Sequence, residues 1–280
     1  MAEFPLRPFL FCVSVERVWP YTFLMWNQRL ARGWGFGATM TLALVLGVAS
    51  SQPARASSLP GGVGTLSIVP GLGQMVNGNF FEGLGWLGAV VALYGSGNSQ
   101  LSQAGWDLWM YQMYDAYRDA GASGAAKHSV YENYAAFLNP LNLIDPIGAP
   151  IVAFGAAAGS SGGYPVLRSP STVLMYGFVG LGEEGLFRGF LYPSFSQNLG
   201  SRWLGAITSS AAFAAIHATG GKAELQASPM IQRFIGGMLF CWQVERNHAD
   251  LRKNIFAHAW YDIFVDDGGK IQGLKMKIPF

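Results

Sequence analysis

The stretch that decides the fold is Thr172-Val173-Leu174-Met175-Tyr176-Gly177-Phe178-Val179-Gly180-Leu181-Gly182-Glu183-Glu184-Gly185-Leu186-Phe187-Arg188-Gly189-Phe190-Leu191-Tyr192. After Thr172 it is apolar, aromatic or glycine, except for Glu183, Glu184 and Arg188. A helix that crosses a bilayer needs ~20 mainly apolar residues, and a charged side chain within one is costly and marks a functional site by default. Glu184 and Arg188 are one helical turn apart and can pair on one face. Glu183 is rotated about 100° from Glu184, so it looks elsewhere. One carboxylate is neutralised by arginine, and the other is left for a different task. A carboxylate in a poorly solvated pocket suits a general base.

The rest of the chain repeats the theme of scarce charge. Of 280 residues, 51% are hydrophobic and 12% are charged, against roughly 25% charged in soluble domains. Residues 33–54, 83–106, 146–167 and 203–221 carry no Asp, Glu, Lys or Arg, and 169–182 and 234–244 are shorter gaps of the same kind. The expected fold is all-α, a polytopic transmembrane helical bundle with a polar intramembrane cavity. A soluble helical protein with a large core is the alternative. Mean hydropathy is only +0.25, so sizeable polar parts are expected outside the membrane. A formal charge of +2 gives no electrostatic footprint for nucleic acid. Apolar content excludes disorder, and Cys12 and Cys241 make no disulfide framework.

Composition shifts divide the chain. Residues 1–56 read as a signal peptide or N-terminal anchor, because Arg29 and Arg32 precede the apolar run 38–49 and Ala54-Arg55-Ala56 follows it. The aromatic segment before Met25 has no place in a signal, so Met25 is the expected start and 1–24 an extension. Residues 57–125 read as a membrane-associated helical hairpin. The Gly/Pro-rich stretch 69–78 is a turn, 80–94 is an apolar arm, 95–100 a loop, and 106–119 an amphipathic arm. A linker, 126–139, leads to the domain 140–266, and 267–280 is a polar tail.

Two further apolar segments in 140–266 hold the histidines. Phe213-Ala214-Ala215-Ile216-His217 ends one, and a later segment carries His258 with Asp262 one turn on. A carboxylate one turn from an imidazole can fix its tautomer or share a metal with it. The set Glu183-Glu184-Gly185-Leu186-Phe187-Arg188, Phe213 with His217, and His258 with Asp262 resembles the three motifs of the CPBP intramembrane proteases, a family that includes CAAX prenyl endopeptidases and many bacterial relatives. The resemblance covers about 140–266 and not the hairpin.

The resemblance implies a membrane bundle that hydrolyses peptide bonds at or within the bilayer, with a peptide or membrane-protein substrate, the lipid bilayer as partner and no nucleic acid. It implies that Glu183 activates water and that His217 positions that water. Glu184 and Arg188 would pair and orient Glu183, and His258 would stabilise the oxyanion. Asp262 stands where the prenyl proteases usually have Asn. A carboxylate donates no hydrogen bond unless protonated, so Asp262 is expected to orient His258. Glu183, His217 and His258 also form a common catalytic zinc set, so metal-free and zinc-dependent hydrolysis both remain open. A membrane scaffold using these groups as structural pairs is the non-enzyme rival. The expected location is a bacterial inner membrane.

Overall fold

The computed structural model describes residues 60–122, 126, 128–161, 168–217 and 227–265. The signal or anchor at 1–56, the Met25 start and the tail 267–280 lie outside these residues. Within them every regular element is helical. The order is α1 (Pro60–Leu66), α2 (Leu72–Val76), α3 (Phe80–Tyr94), α4 (Ser99–Asp119), α5 (Val130–Ala135), 3-10 turns at Ala136–Leu138 and Pro140–Leu143, then α6 (Gly148–Ser161). A continuous rod follows, made of α7 (Pro170–Glu184), a π-helical turn (Gly185–Leu191) and α8 (Tyr192–Asn198). The chain ends in α9 (Arg202–His217), α10 (Ala227–Arg246) and α11 (Arg252–Val265).

The rod is central. Its glycines at 182, 185 and 189 admit α4 at backbone distance. A Cβ on Gly182 would sit 2.5 Å from the Asp107 carbonyl oxygen, one on Gly185 would be 2.9 Å from the Tyr111 ring, and one on Gly189 would be 2.4 Å from the Tyr114 ring. Small residues at this spacing let two helices approach as closely as their backbones permit. On another side Gly180 meets the Ile255 carbonyl of α11, and α10 lies on α9 where Gly237 faces Ser210.

Three local expectations change. The 69–78 stretch holds a five-residue helix, α2, between Gly71 (φ 78°) and Gly78 (φ 95°). The loop expected at 95–100 is present but shorter, and the second arm begins earlier than 106. Gly97 (φ 72°) turns the chain, and the Asn98 side chain accepts from the N–H groups of Gln100 and Leu101 and starts α4 seven residues before the expected amphipathic arm. The 126–139 stretch, read as linker, is structured. Ser129 and Glu132 make a reciprocal capping box for α5, and Phe137 is fully buried, its ring against Gly177 of the rod.

Among the described residues no helix is long and apolar enough to cross a membrane. The apolar α3 and α6 stop at 15 and 14 residues, while the 21-residue α4 carries Asp107, Asp115, Arg118 and Asp119. The expected fold class therefore stands as all-α.

Candidate functional site

Glu183 and Glu184 end α7, immediately before the π-helical turn, a feature that often marks functional positions. Both are buried to within 1% of full burial. Their surroundings differ. Glu184 Oε1 accepts from Arg188 Nη1 at 3.0 Å and from His258 Nδ1 at 2.7 Å, and Oε2 accepts from Asn254 Nδ2 at 3.3 Å. Among the described residues neither oxygen of Glu183 has a hydrogen-bond partner. Its Oε2 lies 3.5 Å from His217 Nε2 and 3.5 Å from His258 Nε2, beyond the usual range for an N–H···O bond.

Each imidazole is aimed from behind. His217 sits at the end of α9, and its Nδ1 is 2.8 Å from the Phe213 carbonyl. A carbonyl only accepts, so Nδ1 donates and Nε2 is left facing Glu183. His258, on α11, commits Nδ1 to Glu184, so its Nε2 faces Glu183 and also Asp262 Oδ2 at 3.5 Å. The Phe240 ring of α10 stacks on the His258 ring at 5.3 Å and 14°. The group that holds His258 by a hydrogen bond is thus Glu184, and Asp262 faces the opposite nitrogen. Glu184 makes no hydrogen bond to Glu183.

Arg188 is 2% exposed and makes one hydrogen bond, to Glu184. Its Nε and Nη2 are unpartnered, and its guanidinium lies 4.4 Å from the Phe213 ring centre and 5.1 Å from that of Phe240. Ring faces attract a desolvated cation, so the charge is held by one carboxylate and an aromatic cage.

All six site residues singled out in the sequence are brought into one cluster built from the rod, α9 and α11. Three contributors were not foreseen. Asn254 bridges Glu184 and the Phe240 carbonyl (2.8 Å); it lies one turn before His258, so helical spacing carried the signal. Phe240 lies in an apolar run that offered no mark. Asp107 of α4 is fully buried, accepts from Gln103 Nε2 at 3.0 Å with one oxygen, and leaves the other unpartnered. Its backbone touches Gly182, the neighbour of Glu183. It came from the segment read as a hairpin module without chemistry.

The donor set of Glu183, His217 and His258 suits zinc chemically. One carboxylate oxygen is near both imidazoles, but the three ligand atoms do not all lie within 4.8 Å of one another. Among the described residues that closeness is met only by Glu82, Asp115 and Asp119, where Arg118 already pairs with Asp115 at 2.5 Å and Asp119 at 2.9 Å.

Asp145 anchors the helices behind the site. It accepts from the N–H groups of Ile147 and Gly148 at the start of α6, and from Gln243 and Asn247 near the end of α10. Burial alone would raise its pKa, but the Gly148 N–H and the other donors outweigh burial and hold the carboxyl below its usual range.

No curated protein and no solved structure matches the chain. Residues 165–264 match the family model described as Type II CAAX prenyl endopeptidase Rce1-like. The match contains the rod, α9, α10 and nearly all of α11, and with them Glu183, Glu184, Arg188, His217, His258 and Asp262. The family is one of membrane proteases. The three motifs lie on separate helices, converge on one buried carboxylate and fall within 165–264, so that part of the chain is similar to the type II CAAX prenyl endopeptidase family.

Proposed function

We propose that this protein is a membrane-embedded endopeptidase in which Glu183 activates water without a metal. The observation that carries the reading is a fully desolvated carboxylate with both oxygens unpartnered, faced by two imidazoles on two other helices. A buried charged group without partners is expensive, and fold stability gives no reason to keep it. With Nδ1 of His217 donating to Phe213, its neutral ring offers Nε2 as an acceptor. Carboxylate and imidazole are then two acceptors side by side, and a water donating to both satisfies them.

In the proposed reaction Glu183 takes a proton from that water, and the hydroxide oxygen bonds to the scissile carbonyl carbon. The Nε2–H of the doubly protonated His258 ring donates to the resulting oxyanion. Glu183 then passes its proton to the amide nitrogen, the C–N bond breaks, and acid and amine ends leave. Glu184 orients His258 through Nδ1, and Arg188 holds Glu184 in place through its 3.0 Å bond to Oε1.

A bilayer setting is supported by the outward faces. Phe80, Phe81, Phe154, Trp203, Ile231 and Trp242 are exposed by 54% or more, while the charges of the site point inward. Trp203 begins α9 at an end, where an aromatic side chain suits the lipid–water interface. The rod from Pro170 to Asn198 is longer than any of its parts and at ~1.5 Å per residue exceeds the ~30 Å hydrocarbon thickness. The substrate is proposed to be a peptide or membrane-protein segment.

The decisive experiment is Glu183→Gln in the full chain, purified in detergent or nanodiscs and assayed on a peptide library by mass spectrometry. Cleavage by the wild type and its loss in the variant, with an unchanged melting temperature, is the expected result. Retained cleavage removes Glu183 as the base. Loss of wild-type cleavage on chelation, restored by added zinc, replaces the metal-free form with the zinc form.

A further inference from the structure

The two halves of α4 are built differently. In the second half, Gln112 and Asp115 have every buried side-chain atom partnered. In the first half, two adjacent residues do not. Trp106 is 3% exposed, and its Nε1 has no hydrogen-bond partner among the described residues. Asp107 is fully buried; Gln103 occupies its Oδ1, and Oδ2 is left over. An indole N–H only donates, and a carboxylate oxygen accepts. Leaving either unsatisfied costs the fold stability. The matched residues 165–264 do not include α4, so the family resemblance gives these two atoms no task.

Both residues stand beside the Glu183 cluster. The Asp107 backbone meets Gly182, and Glu183, His258 and Asp262 are all near enough to act on its side-chain charge. Trp106 packs with Met110 against Leu186 of the rod and Ile216 of α9, the residue before His217. So α4 is a fourth wall next to the rod, α9 and α11. A peptide that reaches Glu183 meets a difficulty there. Its scissile bond has to leave any helix, and the N–H and C=O groups on either side lose their partners. In a water-poor site that loss is costly. An extended chain can regain such bonds along a sheet edge, but every regular element among the described residues is helical. Side chains have to supply the partners. In an apolar segment the main chain is the only polar feature to recognise, and each peptide unit offers one donor and one acceptor.

We propose that α4 binds the main chain of the substrate next to the scissile bond, with Asp107 Oδ2 accepting from a backbone N–H and Trp106 Nε1 donating to a backbone carbonyl. This rests on the endopeptidase reading of the Glu183 cluster. It makes the α1–α4 unit a part of the site. The closed network around Gln112 and Asp115 then fixes the helix that carries the substrate contacts.

The test reads binding apart from cleavage. Full-length Glu183→Gln protein in detergent is screened against dansylated apolar decapeptides, and the tightest binder is the probe. Each amide N–H of that peptide is replaced in turn by an ester oxygen, which removes one donor and keeps the shape. One ester is expected to weaken binding about tenfold, and the others by less than about threefold. In Asp107→Leu, added to the same background, the unmodified probe binds about tenfold more weakly and that ester costs nothing further. Asp107→Asn keeps an acceptor oxygen, so the ester penalty shrinks without vanishing; this variant carries the test where Asp107→Leu does not fold. Trp106→Phe keeps a ring, removes the donor and weakens the unmodified probe severalfold. Ester effects of equal size at all positions, a penalty undiminished in the Asp107 variants, or binding unchanged by Trp106→Phe overturns the proposal. Wild-type cleavage of peptides alongside any of those results leaves the protease reading intact. A single ester penalty tied to Asp107, together with no cleavage by the wild type, would leave α4 assigned to peptide binding and sink the protease reading instead.

Discussion

Two buried polar clusters among the described residues are built on opposite principles. One joins α1–α4. Gln74 Nε2 donates to the Gln112 carbonyl at 3.0 Å, and Gln112 Oε1 accepts from the Gly71 N–H at 3.2 Å. Its amide donates to the Ser67 carbonyl, and Asp115 accepts from Trp86 at 3.1 Å and Arg118 at 2.5 Å. No buried side-chain atom of Ser67, Gln74, Gln112 or Asp115 lacks a partner. The other is the Glu183 cluster, where both Glu183 oxygens, one Asp107 oxygen and two Arg188 nitrogens are unpartnered. A closed network fixes geometry and has nothing left to offer a ligand. An open one stores unsatisfied bonding capacity that water or substrate can use. The contrast separates a structural cluster from a chemical one when both are equally buried and similarly charged.

The contrast can be broken most sharply at the adjacent glutamates. Glu183→Gln should lower cleavage by roughly 10²–10⁴-fold and leave the melting temperature unchanged or slightly raised. Glu184→Ala should lower stability as well as cleavage, since it strands Arg188 and His258. Removing one partner of a buried pair costs about 3–5 kcal/mol, read as a fall in the unfolding midpoint in mild denaturant. Equal stability losses for the two variants would erase the distinction between them.

The closed cluster supplies the next test. Gln112→Ala leaves the Gly71 N–H and the Ser67 carbonyl without their partners and should destabilise by about 1–3 kcal/mol, with cleavage per folded molecule unaffected. Gly182→Ala falls between the clusters, because its Cβ would enter the Asp107 backbone. Overpacking of this kind costs about 1–3 kcal/mol, and displacement of α4 should lower cleavage as well as stability.

The smallest effect concerns pH and the anchor behind the site. Asp145 has its folded pKa held below the unfolded value. Its stabilising contribution is therefore complete above the ordinary carboxylate pKa near ~4 and is lost as pH falls through the folded value. Denaturation midpoints measured at pH 7 and near pH 3 should differ less in Asp145→Asn than in the wild type. An identical difference in both proteins would remove Asp145 from the acid response.

Much of the open cluster was legible in the sequence because charge is rare there. Glu183, Glu184 and Arg188 stand out within an apolar segment, and His258 and Asp262 repeat at helical spacing. What was not legible depends on contacts between helices. Helical phase says that Glu183 and Glu184 diverge, but not that Glu184 turns to His258 rather than supporting Glu183. Asp107 is one acid among several on α4, and only the approach at Gly182 gives it a place beside the site. The arm 80–94 matched α3 because its ends are marked by Asn79 and Gly95. The loop after it was legible as well, but the polar residues between Asn98 and Trp106 hid the first two turns of α4, which the Asn98 cap starts.

The π-helical turn at Gly185–Leu191 has a consequence for how the gene can vary. A π turn accommodates one residue more than the α-helix it interrupts. Deleting a single codon within it would restore uninterrupted α-helical phase and rotate α7 against α8 by about 100°. Glu183 would turn away from His217 and His258, while the apolar composition of the rod would hardly change. The segment is thus intolerant of any change in length. A reading-frame-preserving deletion there should yield a protein that accumulates in membranes and cleaves nothing.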